Sequence, residues 1–473
     1  MQIKSLANIA LASFMLVGCS SSQKTTLENV ENTSATTAHK EVSKNRKLTA
    51  KYLTTCNSKM VFSHPYDGMS NEEVDEFIRG KSFFRIPWIE APSATTARDG
   101  LGPLFSANTC RNCHPNNGAG VAVDSNLKVK RDLVFRLSIP QNLNNVLKMK
   151  MPFSPEPTYG GQLSVNGNHE VPFEGTPVVK YVEEMGKYHD GSSYSLRVPE
   201  YSIDSLNYGP LHKDAVVAPH IALALVGLGL IEQIPHRDIL VNEDINDSDG
   251  DGISGKANWI YEPDNGNKQL GLFTWKAGSP SVRFQSANAA SNDMGLTTSI
   301  FPKENCTSIQ KECNAASKGY HDFDMPDSRL DAINYYLTHL KAPFPRKFKN
   351  SKEAKKLFTQ LSCSQCHTPS FVTSEGVEIR PYSDFLLHDM GDELSDGHSN
   401  FLATPNEWRT PPLWGIGLYK KVSGEANYLH DGRARSIEEA ILWHGGEAQN
   451  SKEAFKELPK AQRELLIEYL GTI

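Results

Sequence analysis

Two copies of one five-residue pattern constrain this chain more than anything else in it: Cys110-Arg111-Asn112-Cys113-His114 and Cys363-Ser364-Gln365-Cys366-His367. Each reads C-x-x-C-H, the attachment signal of a c-type haem. Cysteines at i and i+3 share one helical turn, so both thiols can add to the vinyl groups of one porphyrin. The adjacent histidine then sits under the iron as proximal ligand. A single copy would equally fit a redox C-x-x-C or half a zinc site. Two copies, each followed by a proline-containing loop (Pro115, Pro369), point to two covalently held haems.

A chain of 473 residues exceeds one core and implies more than one domain. Net charge is -6, and no dense Lys/Arg cluster marks a nucleic-acid partner. At the N-terminus Lys4 precedes an apolar run, Ile9 to Val17, too short to span a bilayer. It ends Leu16-Val17-Gly18-Cys19, which looks like a bacterial lipobox. Residues 1–18 are therefore expected to be a lipoprotein signal peptide and Cys19 the lipidated residue. Ser20 fits outer-membrane sorting with the protein facing the periplasm. Residues 19–50, rich in Ser, Thr, Lys and Glu, read as a disordered tether. Of the eight cysteines, Cys306 and Cys313 are expected to form a local disulfide. Cys56 is left as a buried, unreactive thiol.

The chain turns helical near Asn71, with Val74, Phe77 and Ile78 on one face. Leu133, Phe135, Leu137 and Ile139 alternate with Val134, Arg136 and Ser138, which is strand periodicity, and Tyr194, Leu196 and Val198 do the same. Residues of roughly 120–210 thus read as a loop-and-strand insertion. Ile221 to Ile234 is an apolar, buried segment ending in Glu232 and Gln233. Ala354, Leu357, Phe358 and Leu361 follow helical spacing ahead of the second motif, and Leu465, Leu466, Tyr469 and Leu470 share a face of a closing helix. The expected fold is mainly α. Two cytochrome c-like haem domains, 51–345 and 346–473, make it up, the first enlarged by the insertion.

Ser436 and Glu439 have the spacing of a capping box, and Ile437, Ala440, Ile441 and His444 share the face of the helix that Gly445-Gly446 stops. His444 is the first candidate for the distal ligand of the second haem; His430, His388 and Met390 compete with it. Asp247, Asp249 and Asp251 alternate before glycines and are a candidate calcium loop. Position twelve is Asn258 and not Glu, so a standard EF-hand is not supported.

The chain resembles the di-haem oxidoreductase, or putative peroxidase, family related to bacterial di-haem cytochrome c peroxidases. The resemblance is carried by Ala97 to Phe105, Gly227 to Glu232, Leu386 to Gly391, Glu407 to Gly415 and Leu429 to Arg435. It covers nearly the whole chain after the tether. In the peroxidases the second haem's distal ligand lies fourteen residues after the histidine of an H-x-G stretch. Fourteen after His430 is His444, where that family has Met or Tyr. The resemblance further implies Glu232 as a peroxide acid/base, Gln233 as a supporting donor and Trp275 as a tryptophan between the haems.

Two functions remain open at this point. The first is an enzyme: the haem on His114 reacts with hydrogen peroxide or another small oxidant, and the haem on His367 and His444 relays electrons. Its partner is a small redox protein or a partner lipoprotein, and membrane contact is by the lipid anchor alone. The alternative is a di-haem electron-transfer cytochrome without peroxidase activity, with a histidine at 169, 189, 212 or 220 closing the first iron.

Overall fold

The computed structural model describes residues 50–168, 170–262 and 266–473. The expected signal segment, Cys19 and nearly all of the expected tether lie outside the described residues. The described residues belong to one compact unit, and no described helix is long and apolar enough to cross a membrane.

The mainly α expectation is corrected. About 30% of the described residues are helical and 20% are strand, and the strands among them pair in eight small sheets, seven of them two-stranded. The reason is the length of the elements. Short pairings such as Leu53–Thr54 with Ala342–Pro343 are made between distant segments, and two residues carry no periodicity for a sequence to show.

Helix α1 (Asn71–Arg85) starts from a complete Ser70/Glu73 capping box. Its inward face is Phe77, Gly80 and Phe84, whereas Val74 and Ile78 are exposed, so the expected face is rotated. A Cβ at Gly80 would lie 1.8 Å from the Ala332 carbonyl. Only glycine lets α1 come this close to its partner helix Asp327–Thr338.

The segment 120–210 contains strands, as its alternation predicts. β1 (Leu133–Ile139) buries Leu133, Phe135 and Leu137. β2 (Thr176–Lys187) and β3 (Ser193–Asp204) form a long antiparallel hairpin. β4 (Val216–Ile221) lies antiparallel to β1, with Ala218 opposite Arg136 and His220 opposite Val134. The apolar stretch that follows runs without regular structure into the short helix Leu228–Glu232.

Helix α2 (Val282–Met294) packs beside Asp327–Thr338. Helix α3 (Ser351–Gln360) buries Ala354, Leu357 and Phe358 and leads into the single turn α4 (Cys363–Cys366). β5 (Leu387–Asp389) pairs with β6 (Glu407–Arg409). α5 (Ile437–Leu442) is capped by Ser436, which accepts from the Glu439 amide. The Glu439 carboxylate instead holds Arg435, so only half of the expected capping box forms. α6 (Lys460–Leu470) buries Leu466, Tyr469 and Leu470 and leaves Leu465 half-buried. One apolar core unites Phe84, Ile231, Phe284 and Leu337 with Phe358, Tyr382, Trp414 and Leu466, from both halves of the chain.

Candidate functional site

Both C-x-x-C-H motifs fold as one tight turn. His114 N donates to Cys110 O at 3.0 Å and His367 N to Cys363 O at 2.9 Å. The four cysteines are unpaired. Burial pushes the Cys110 and Cys363 thiols up to about 12 and raises Cys113 and Cys366 as well. A redox C-x-x-C does the reverse and stabilises a thiolate. These four sulfurs are protonated thiols at neutral pH.

The histidines are fixed in a matched way. His114 Nδ1 donates to the Leu223 carbonyl at 2.8 Å and His367 Nδ1 to the Tyr382 carbonyl at 2.9 Å. Burial lowers both pKa values to about 4. Each ring is neutral at pH 7 with its proton on Nδ1, which leaves the Nε2 lone pair for a metal. His444 repeats the arrangement: its Nδ1 donates to Ala440 O at 2.6 Å, and burial lowers its pKa. His444 lies close enough to His367 to act on it electrostatically.

All three histidines and all four cysteines line one cavity of about 1030 Å³. Its walls are mostly apolar, and α2 supplies Phe284, Ala290 and Met294. Trp275 also lines it, and its indole N–H donates to Ile221 O at 2.8 Å. Ile221 is two residues before Leu223, the acceptor of His114.

The sequence matches the family described as "Di-haem oxidoreductase, putative peroxidase" over residues 40–473. The chain is a member of the di-haem oxidoreductase family. No curated protein matches it. Among solved structures it is similar to Kuenenia stuttgartiensis hydrazine synthase, with 16% identity and a TM-score of 0.27, covering 54% of this chain and 73% of that one. A likeness this weak carries no argument.

This di-haem oxidoreductase has what two haems require. Two pairs of unpaired thiols and three imidazoles with Nε2 free stand around one large apolar cavity. One competitor for His444 is less suited. His388 has both ring nitrogens engaged, Nδ1 with Glu447 at 2.7 Å and Nε2 with Asp384 at 2.8 Å. His430 is stacked on Trp408 at 3.9 Å. Met390 lines the cavity.

Glu232 does not line the cavity. Its carboxylate accepts from Val282 N at 2.7 Å and so caps the start of α2. Gln233 also lies off the cavity, with a buried Oε1 that has no partner. The carboxyls on the cavity wall are Asp132, Asp293 and Glu304. Asp132 holds the Val121 amide at 2.8 Å, and Asp293 accepts from Gln162 at 2.8 Å. Glu304 keeps a buried Oε2 without a partner, and burial lifts its pKa to about 7. No motif marks Asp293 or Glu304; both reach the wall by tertiary folding alone.

Asp247, Asp249 and Asp251 converge, with ligand oxygens within 4.8 Å of one another. Asn258 turns away and donates to Lys276 O and Asn400 O. The loop touches the second motif through Gln365, whose Nε2 donates to Asp251 at 2.9 Å. Cys306 and Cys313 are disulfide-bonded. Cys56 is half-buried, which corrects the reading of a buried thiol.

Proposed function

We propose that this di-haem oxidoreductase is a peroxidase-like enzyme. Cys110 and Cys113 attach one haem through thioethers, and Cys363 and Cys366 attach the other. His114 ligates the first iron alone, and His367 with His444 ligates the second. Haem iron with one protein ligand supplies an open position and one-electron redox chemistry. The substrate at that position is hydrogen peroxide.

One observation carries the choice of enzyme over electron carrier. Among the described residues, no histidine suggested for closing the first iron has a suitable place. His189 and His212 are exposed and off the cavity. His220 lines it, but its Nε2 is held by Asp396 at 2.8 Å, so the nitrogen left is Nδ1, the one nearer the main chain, and not the Nε2 that His114, His367 and His444 keep free. His169 lies outside the described residues.

Glu304 is the chain's proton-handling group in this reading. Among the described residues it is the cavity carboxyl with a buried oxygen that lacks a hydrogen-bond partner, and its pKa of about 7 suits a group that must both take and return a proton. Glu232, by its position, serves the fold. Trp275, on the cavity wall and hydrogen-bonded toward the His114 segment, is the aromatic group between the haems.

The lipid anchor on Cys19, the signal peptide and the outer-membrane, periplasm-facing location complete the proposal, with a small redox protein or partner lipoprotein as electron partner. The Asp247–Asp249–Asp251 loop is offered for calcium because three carboxylates converge there and hard cations prefer oxygen. The test is to mix half-reduced protein with hydrogen peroxide in a stopped-flow spectrometer. Rapid change confined to the first haem's bands supports the enzyme. No reaction in any redox state transfers the protein to the electron carriers.

A further inference from the structure

Enclosed charges without counter-ions are rare, because a desolvated ion needs a partner to offset the loss of water. Arg136 is half-buried and Arg409 is buried, and both line the haem cavity. Among the described residues, neither forms an ion pair with a carboxylate. Arg409 is 4% exposed; its Nε donates to Thr274 O at 2.7 Å and its Nη1 to Thr410 O at 3.3 Å. Both acceptors are neutral carbonyls, and the carboxylates that act on the two arginines, Asp384 on Arg409 and Asp293 on Arg136, do so without an ion-pair contact.

We propose that Arg136 and Arg409 are the anion partners of the two haems, one guanidinium per haem, each receiving a propionate carboxylate. This rests on the reading that both C-x-x-C-H motifs carry haem.

Position assigns each arginine to its own motif. Arg136 is on β1 opposite Ala218 of β4, the strand that runs on to Leu223 and the His114 hydrogen bond. Asp293 acts electrostatically on Arg136, Cys110 and Cys113 alike, which puts all three in one neighbourhood. Arg409 is on β6 opposite Leu387. Asp384 acts on Arg409, and the Asp384 amide donates to Cys366 O at 2.9 Å. Arg136 therefore belongs to the first haem and Arg409 to the second.

The ligand class follows from the donors. A guanidinium is a planar fork that matches the two oxygens of a carboxylate. Burial pulls Arg409 down to about 10 and lowers Arg136 too, a cost that a carboxylate in contact would reverse. Lys276, the other enclosed cation on this wall, is already satisfied. Its Nζ donates to the carbonyls of Thr404, Pro405 and Glu407 and pairs with Asp396 at 3.3 Å.

Arg136→Gln and Arg409→Gln test this separately on haem-loaded protein, by haem stoichiometry and by a spectroscopic redox titration that resolves the two haems. Losing the cation leaves a propionate uncompensated and favours the ferric state. Arg409→Gln is expected to shift the reduction equilibrium of the second haem at least tenfold toward ferric, which is about 59 mV for one electron, and to leave the first haem unchanged. Arg136→Gln is expected to do the converse. Should a glutamine variant not accumulate, the lysine variant replaces it. A flexible point charge cannot fork both oxygens, so the shift persists in the same haem but is smaller. Unchanged potentials in both variants overturn the proposal. If acetate binding to the wild type is lost in the variants while the potentials stay put, the arginines serve a soluble carboxylate and the proposal is again overturned. Wild-type protein without two haems per chain sinks the parent reading instead, and the stoichiometry tells these failures apart.

Discussion

His444 lies close enough to His367 to depress its basicity, and both rings donate Nδ1–H to a main-chain carbonyl. Two neutral imidazoles with free Nε2 atoms on one cavity are what a bis-histidine iron needs. Such ligation lowers a haem's potential relative to His/Met. With the proposed His367/His444 ligation, the second haem is expected to act as a low-potential relay and not as a high-potential store.

The His444→Gly variant is expected to turn one low-spin haem into a high-spin haem and leave the other as it was. Optical and magnetic-resonance spectra of the oxidised protein check this. If both spectra keep their wild-type form, His444 is a core histidine held by Ala440, and Met390 or His430 becomes the ligand to test.

The thioether reading makes a mass prediction. Intact protein after acid-acetone extraction is expected to retain two haem masses. Cys363→Ala with Cys366→Ala should lose one of them while the first stays. Haem passing into the organic phase from wild-type protein would refute covalent attachment.

Much of the local structure is legible in the sequence. Alternation over Leu133–Ile139 yields a strand with those bounds, and the spacing of Ala354, Leu357 and Phe358 yields α3. Both signals work because one period runs through enough residues facing one core. The overall class is not legible in this way. Two-residue pairings leave no period, and residues 222–225 line the cavity without regular structure. The site divides likewise. Cys110, Cys113 and His114 are neighbours in the chain, so spacing shows them. Arg136, Asp293 and Glu304 meet the cavity from separate elements, and no local pattern announces them. Glu232 lies beside the right apolar segment, but its carboxylate is taken by the start of α2.

The two glutamates can be separated by experiment. Glu304→Gln is expected to keep both haems and both redox transitions and to slow the peroxide reaction by about 10²–10⁴-fold, the scale for losing an acid–base group. Glu232→Ala should leave that rate unchanged and cost about 1–3 kcal/mol of stability, the scale for leaving the buried Val282 amide without its acceptor. Stopped-flow kinetics and denaturant unfolding read the two effects. The reverse pattern would return the role to Glu232.

The role proposed for Glu304 implies a pH dependence. Burial raises its pKa, so the carboxyl holds its proton below about 7 and is a base above it. The peroxide rate is expected to climb as pH rises through about 7 and then level off. Glu304→Gln should flatten this limb. A wild-type rate that stays constant across that pH range would exclude Glu304 as the base.

The most direct test of the central claim is the spin state of the two irons, read by electron paramagnetic resonance in the oxidised and half-reduced protein. An enzyme with an open iron on His114 and a closed one on His367 and His444 predicts one high-spin and one low-spin ferric signal, with hydrogen peroxide altering the high-spin signal. Two low-spin signals in every redox state would mean that both irons are closed, and would contradict it.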